Sequence, residues 1–195
     1  MVVNIFLFDG FDAMDAFGPA QIFGCAPEHF YIRYLSLRGG MIAGAQGMGI
    51  WTEPLNPVEI EDIFLIPGGK GVSAFLHTEP EENQKLLRQA VTEASFCLMV
   101  QNGSALLAKS GLLFRRQLAD YHYGENWKRM FTVGLNYIPD VRWIADGKYY
   151  SSSSTAAALE MVLGLICDIV DVGVAERIAD ELGCEWDSSA QEMLI

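Results

Sequence analysis

The stretch "SFCLMVQNGSALLAKSGLL" (residues 95–113) decides how this chain is read. Its apolar run from Cys97 to Val100 reads as a buried strand. The run breaks at "QNGS" and restarts as a helix carrying Leu106, Leu107 and Ala108. Sharp strand-to-helix corners of this kind hold the nucleophile in many α/β enzymes. Here the corner residue is Gln101, whose amide is no nucleophile.

Outward from that corner, strand-like and helix-like segments alternate. "VNIFLF" (3–8) is a short apolar run closed by "DGFD", hence a buried strand. "AMDAFGPAQIFG" (13–24) reads as a helix, with Pro19 near enough to its first turn to be tolerated. "FYIRYLSL" (30–37) is the next strand, and "MIAGAQGMGIWTEP" (41–54) a small glycine-turned hairpin. "DIFLIPGGKG" (62–71) is a strand entering a glycine loop, followed by an amphipathic helix at 81–94. "VRWIADGKYYSS" (141–152) predicts a hairpin turning at Asp146-Gly147. "STAAALEMVLGLICDIVDV" predicts a helix apolar on nearly every face, with Ser154 or Thr155 as its cap. "GVAERIADELG" adds a final helix. The alternation predicts one domain over residues 1–195: an α/β, three-layer αβα sandwich with a mostly parallel, flavodoxin-like central sheet plus small β-hairpins.

Composition narrows the function. The chain has 195 residues, 51% hydrophobic, and a formal net charge of −12. Such an acid excess argues against nucleic acid or an anionic membrane as partner. No apolar run approaches the roughly 20 residues of a membrane span. "MVVNIFLFDGFD" lacks the basic start of a secretory signal, so the expected location is cytoplasmic. Cys25, Cys97, Cys167 and Cys184 have no metal-ligand spacing, and neither a metal nor a cofactor is expected. His29 and His77 are expected in polar loops as solvated surface histidines; Trp51, Trp143 and Trp186 read as core or interface anchors.

Ligands of parallel sheets lie beyond the carboxyl ends of the strands. Attention falls on the loops after 3–8, after 62–66, and at Gln101. "PGGKG" lacks the spacing of a dinucleotide or phosphate loop. Its glycines allow close approach of a backbone N–H to a substrate oxygen, at Gly68 or Gly69. With the Asn102 N–H this would make a two-donor oxyanion site, or else merely a plain turn. Asp15 reads either as a first-turn carboxylate favoured by the helix dipole or as an acid aimed across the strand ends at the corner.

Four motifs in order resemble the ThiJ/PfpI family, within the class I glutamine-amidotransferase-like superfold, and most of all its isonitrile-hydratase type. They are "FDGFDAMDAFGPAQIF", "DIFLIPGGKG", "VQNGSALLAKSGLL" and "WIADGKYYSSSSTAAALEMVL". The resemblance runs nearly end to end. It implies a homodimer and, for some relatives, an appended DNA-binding helix-turn-helix, for which this chain is expected to have no room. It also implies departures. The family's elbow cysteine falls on Gln101, its Gly-Pro-x-Glu glutamate on Gln21, and its later histidine on Tyr121, with His122 adjacent. Asp15 keeps the acid that contacts the cysteine in relatives, and Gly69 and Asn102 keep the expected oxyanion donors.

Covalent catalysis would need a low-pKa thiolate at the elbow. Cys97, four residues back along a strand, is about 13 Å away. Ser104 is close but has no histidine beside it in sequence. Two readings remain in front: a catalytically silenced or altered member binding a small carbonyl, amide or carboxylate compound, and a non-covalent hydratase or hydrolase. In the second, Asp15 activates water and Tyr121 or His122 serves as acid.

Overall fold

The computed structural model describes residues 1–122 and 134–186. Among the described residues there are ten strands: β1 (Val2–Phe6), β2 (Tyr31–Ser36), β3 (Gly40–Ala43), β4 (Gly49–Pro54), β5 (Ile63–Ile66), β6 (Phe96–Val100), β7 (Gln117–Ala119), β8 (Asn136–Ile138), β9 (Trp143–Asp146) and β10 (Tyr149–Ser152). Eight form one sheet in the order β3-β4-β2-β1-β5-β6-β10-β9. The six inner strands are mutually parallel; β3 and β9 run antiparallel at the two edges. The fold is therefore α/β with a mostly parallel central sheet flanked by helices, as the alternation predicts. The central strands β1, β5 and β6 are buried on both faces, which is why they read as continuous apolar runs such as Ile63–Ile66.

Among the described residues the helices are α1 (Ala13–Gly24), α2 (Gly71–Thr78), α3 (Glu81–Glu93), α4 (Thr155–Ile169) and α5 (Val172–Leu182), with 3₁₀ segments over Pro57–Glu59 and Gln101–Ser110. From β1, the chain crosses through α1 to β2 in one direction along the sheet. From β5, it crosses through α2 and α3 to β6 in the other. Both crossovers being right-handed, their helices cover opposite faces. The direction reverses between β1 and β5, and the loops leaving these two strands part there.

Several local expectations are corrected. Pro19 is the seventh residue of α1, well inside it, where its missing N–H removes one helix hydrogen bond. The glycine loop leads directly into α2, which the sequence reading missed; His77 belongs to that helix and its ring meets the Ser73 carbonyl at 2.6 Å. The late hairpin turns on Gly147-Lys148, one residue beyond the expected pair, between the facing residues Asp146 and Tyr149. The segment after Gln101 is a 3₁₀ helix, and β7 pairs in parallel with β8 as a separate two-stranded sheet. Trp51 is 73% exposed on the edge hairpin, so it anchors no core, whereas Trp143 is buried and stacks on Tyr150.

Candidate functional site

Three elements meet at the switch point. α1 starts where Asp12 caps it, its carboxylate accepting from the Met14 N–H. One turn on, Asp15 points inward and is 0% exposed. Gly18 then allows α4 to lie close, since a Cβ there would come within 2.9 Å of Leu159. Ser154 caps α4 through the Ala157 N–H, which leaves Thr155 to face Asp15. At the end of β6 the chain turns through Gln101 with φ +49°, a left-handed conformation that costs a non-glycine residue on the order of 1 kcal/mol.

These pieces converge on one carboxylate. Gln101 Nε2 lies 3.1 Å from each Asp15 oxygen and donates also to Thr155 Oγ1 at 2.9 Å. Thr155 Oγ1 donates to Asp15 Oδ1 at 2.5 Å, and the Gly68 N–H to Oδ2 at 3.2 Å. A carboxylate only accepts, so the Gln101 amide presents its NH₂ edge to it. Its Oε1 has no partner among the described residues. Burial pushes the Asp15 carboxyl above the ordinary carboxylate range, and the Asp12 charge adds to that; the hydrogen bonds from Thr155, Gln101 and Gly68 oppose the rise without cancelling it.

The glycine loop is committed as well. The Gly69 N–H donates to Asn102 Oδ1 at 2.8 Å, and Asn102 Nδ2 returns a bond to the Gly69 carbonyl at 3.0 Å. Both loop amides expected to meet a substrate oxygen, Gly68 and Gly69, are therefore occupied inside the protein. Close approach explains the glycines: a Cβ on Gly68 would sit 2.5 Å from Asn102 Oδ1 and 2.7 Å from Asp15 Oδ2. In front lies a cleft of about 210 Å³ lined by Asp12, Gln46, Lys70, Gln101 and Asn102 among others. Gln46, from the β3–β4 turn, is tied to α1: its Oε1 accepts from the Ala13 N–H and its Nε2 donates to Asp12.

The other expected site residues lie elsewhere. Gln21 is exposed, its amide 3.8 Å from Cys25 Sγ; six residues after Asp15 it faces the other side of α1. Tyr121 is buried edge-on against Tyr137, and His122 is exposed; neither lines the cleft. Ser104 is buried, donating to the Gln101 carbonyl and meeting Tyr137 Oη, both at 3.2 Å. Cys97 is buried and its thiol is pushed up to about 12, the opposite of an activated nucleophile. Tyr123 and Trp127, neighbours of His122 in sequence, lie outside the described residues. Among the described residues no His, Cys, Asp and Glu side chains cluster as a metal site. Thr155, Gln46 and Lys70 were missed as site residues. Only Thr155 left a trace in the sequence, as the residue after a helix-capping serine.

A family model described as DJ-1/PfpI matches residues 1–167. The chain belongs to the DJ-1/PfpI family. The fold agrees with that of solved relatives. A ThiJ/PfpI family protein from Pseudomonas syringae superposes with a TM-score of 0.82 at 20% identity, covering 95% of this chain and 76% of that one. Drosophila melanogaster DJ-1beta gives 0.80 at 20% identity over 94% of this chain and 98% of its own. An AraC family transcriptional regulator from Pseudomonas putida gives 0.78 at 19% identity over 93% and 98%. None of the curated proteins compared with the chain matches it. No helix among the described residues is long and apolar enough to cross a membrane.

Proposed function

We propose that this DJ-1/PfpI protein holds Gln101 where the family's elbow carries its cysteine, and that the cleft binds a small amide, carbonyl or carboxylate compound with no thiol adduct. The observation that carries the reading is the three-way bond of Gln101 Nε2 to Asp15 and Thr155. It leaves Gln101 Oε1 as an acceptor, while Lys70 is the one cation among the lining residues. An amide ligand answers both, giving its N–H to Gln101 and its oxygen to Lys70. The competing hydratase reading requires Asp15 to activate a water; Asp15 lines the cleft, but both its oxygens already accept hydrogen bonds from Gln101, Thr155 and Gly68, which weighs against it.

The test pairs binding with turnover. Thermal-shift titration with small primary amides stabilises the wild type reversibly, and Gln101→Ala abolishes the shift. Isonitriles, small amides and methylglyoxal are then assayed with wild type and Asp15→Asn. Turnover by the wild type that Asp15→Asn removes replaces the binding reading with water activation.

The same proposal takes the protein as a cytoplasmic homodimer. Residues 39–52 carry no charged side chain, although the whole chain is −12. Met41 and Trp51 face each other across the edge hairpin and are 64% and 73% exposed. On this surface a second copy avoids bringing carboxylates together. Sedimentation equilibrium reads a dimer for the wild type and a monomer for Trp51→Glu; a wild-type monomer ends the proposal.

A further inference from the structure

The loop after β1 is a partition with a cavity on each side. It is stitched down by Gly10 N–H to Ala43 O at 2.7 Å, Ala45 N–H to Phe11 O at 2.8 Å, and Gly71 N–H to Gly10 O at 3.0 Å. One side faces the Gln101 cleft. The other faces a larger cavity of about 330 Å³, between the carboxyl ends of β1 and β2 and helix α2. That volume stands at the small end of ligand pockets, roughly 300–1,000 Å³.

The walls combine an apolar surface with charges of both signs. Phe8, Ile42 and Phe75 supply the apolar part. Arg38 stands at the rim, exposed, with no hydrogen bond or ion pair among the described residues. Arg33, Arg116, Arg142 and Arg177, by contrast, each hold a carboxylate. Asp9 uses Oδ1 to accept the Ala43 N–H at 2.9 Å, and Glu79 uses Oε2 for Asn83 at 2.5 Å. The second oxygen of each is without a partner among the described residues.

We infer that this cavity binds a zwitterion with an apolar body, the chemistry of a hydrophobic α-amino acid. The carboxylate pairs with Arg38, the ammonium with the unengaged oxygens of Asp9 and Glu79, and the side chain with the phenyl and isoleucine wall. A plain carboxylate would face two like charges, and a plain amine would face the guanidinium. A neutral apolar ligand would cover charges without answering them. The site is independent of the Gln101 cleft.

Isothermal titration of the full chain tests this with L-phenylalanine, L-leucine, 2-phenylethylamine and 3-phenylpropanoate. Both amino acids bind, and the amine and the acid bind at least about tenfold more weakly, each having lost one charge-assisted pair. Arg38→Ala weakens L-phenylalanine by a similar factor. Ala74→Trp, from an exposed position on α2 that lines the cavity, fills it and abolishes amino-acid binding. It leaves the amide titration at Gln101 and the circular dichroism spectrum unchanged. Equal binding of the amine or the acid, undiminished binding to Ala74→Trp, or no heat from either amino acid at millimolar concentration overturns the inference.

Discussion

The two cavities share one wall and treat their polar groups in opposite ways. In the Gln101 cleft, Asp15 accepts from three different residues and the Gly69 amide is closed off by Asn102. Beside α2, among the described residues, Arg38 has no hydrogen bond or ion pair and two carboxylates are half used. A buried charge must be answered by the protein itself, because an unanswered one would not survive folding. A rim charge is answered by water until a ligand arrives. The first cavity is thus built into the stability of the fold, and the second is separable from it.

That contrast is open to attack from several directions. The shared wall is the most sensitive point: a Cβ on Gly71 would fall 1.8 Å from the Asp9 carbonyl oxygen. Gly71→Ala is expected to lose about 3 kcal/mol in urea denaturation, at the upper end of overpacking costs. An unchanged midpoint would mean the wall yields and the cavities are not separately built. Asp15→Ala comes next. It strands the Gln101, Thr155 and Gly68 donors, at an expected cost of about 2 kcal/mol; a neutral result would show the cleft to be no more structural than its neighbour.

A smaller effect appears in pH dependence. The Asp15 carboxyl is raised from 3.8 in the fold, so the native state holds this proton more tightly than the unfolded chain does. Its contribution is complete below about 3.8 and is lost as pH rises through the native value. Wild type is therefore expected to lose stability relative to Asp15→Asn as pH rises from acid to neutral, read from denaturation midpoints across the range. Parallel curves would contradict burial as the dominant influence. Smallest of all, Arg38→Ala is expected to shift stability by less than about 0.5 kcal/mol, since its guanidinium is exposed and has no partner among the described residues. A larger loss would make Arg38 structural and erase the contrast.

Much of the frame is legible in the sequence. The buried strands announce themselves as apolar runs because both faces of a parallel sheet are covered. Gln101 follows the end of one strand and Asp15 opens the helix after another, beyond the carboxyl ends where ligands of such sheets collect. Gln21 lies away from the cleft: motif position says nothing about which side of a helix a residue faces, and six residues of helical rotation turn it away from Asp15. Tyr121 lies away from the cleft for a related reason: its ring packs edge-on against Tyr137, a contact between segments joined only by the fold. α2 escaped notice because its eight residues follow a glycine loop that itself reads as the end of a segment.

The order of apolar and amphipathic segments by itself determined a parallel α/β sheet and an amide at the strand-to-helix corner, since periodicity and residue chemistry are local properties. Tertiary structure alone decided that Thr155, 140 residues after Asp15, completes the carboxylate's shell, and that Asn102 closes the Gly69 amide. It alone opened a second cavity beside Arg38. Hydrogen bonds between distant segments depend on where packing brings them, and no neighbour in the chain records that meeting.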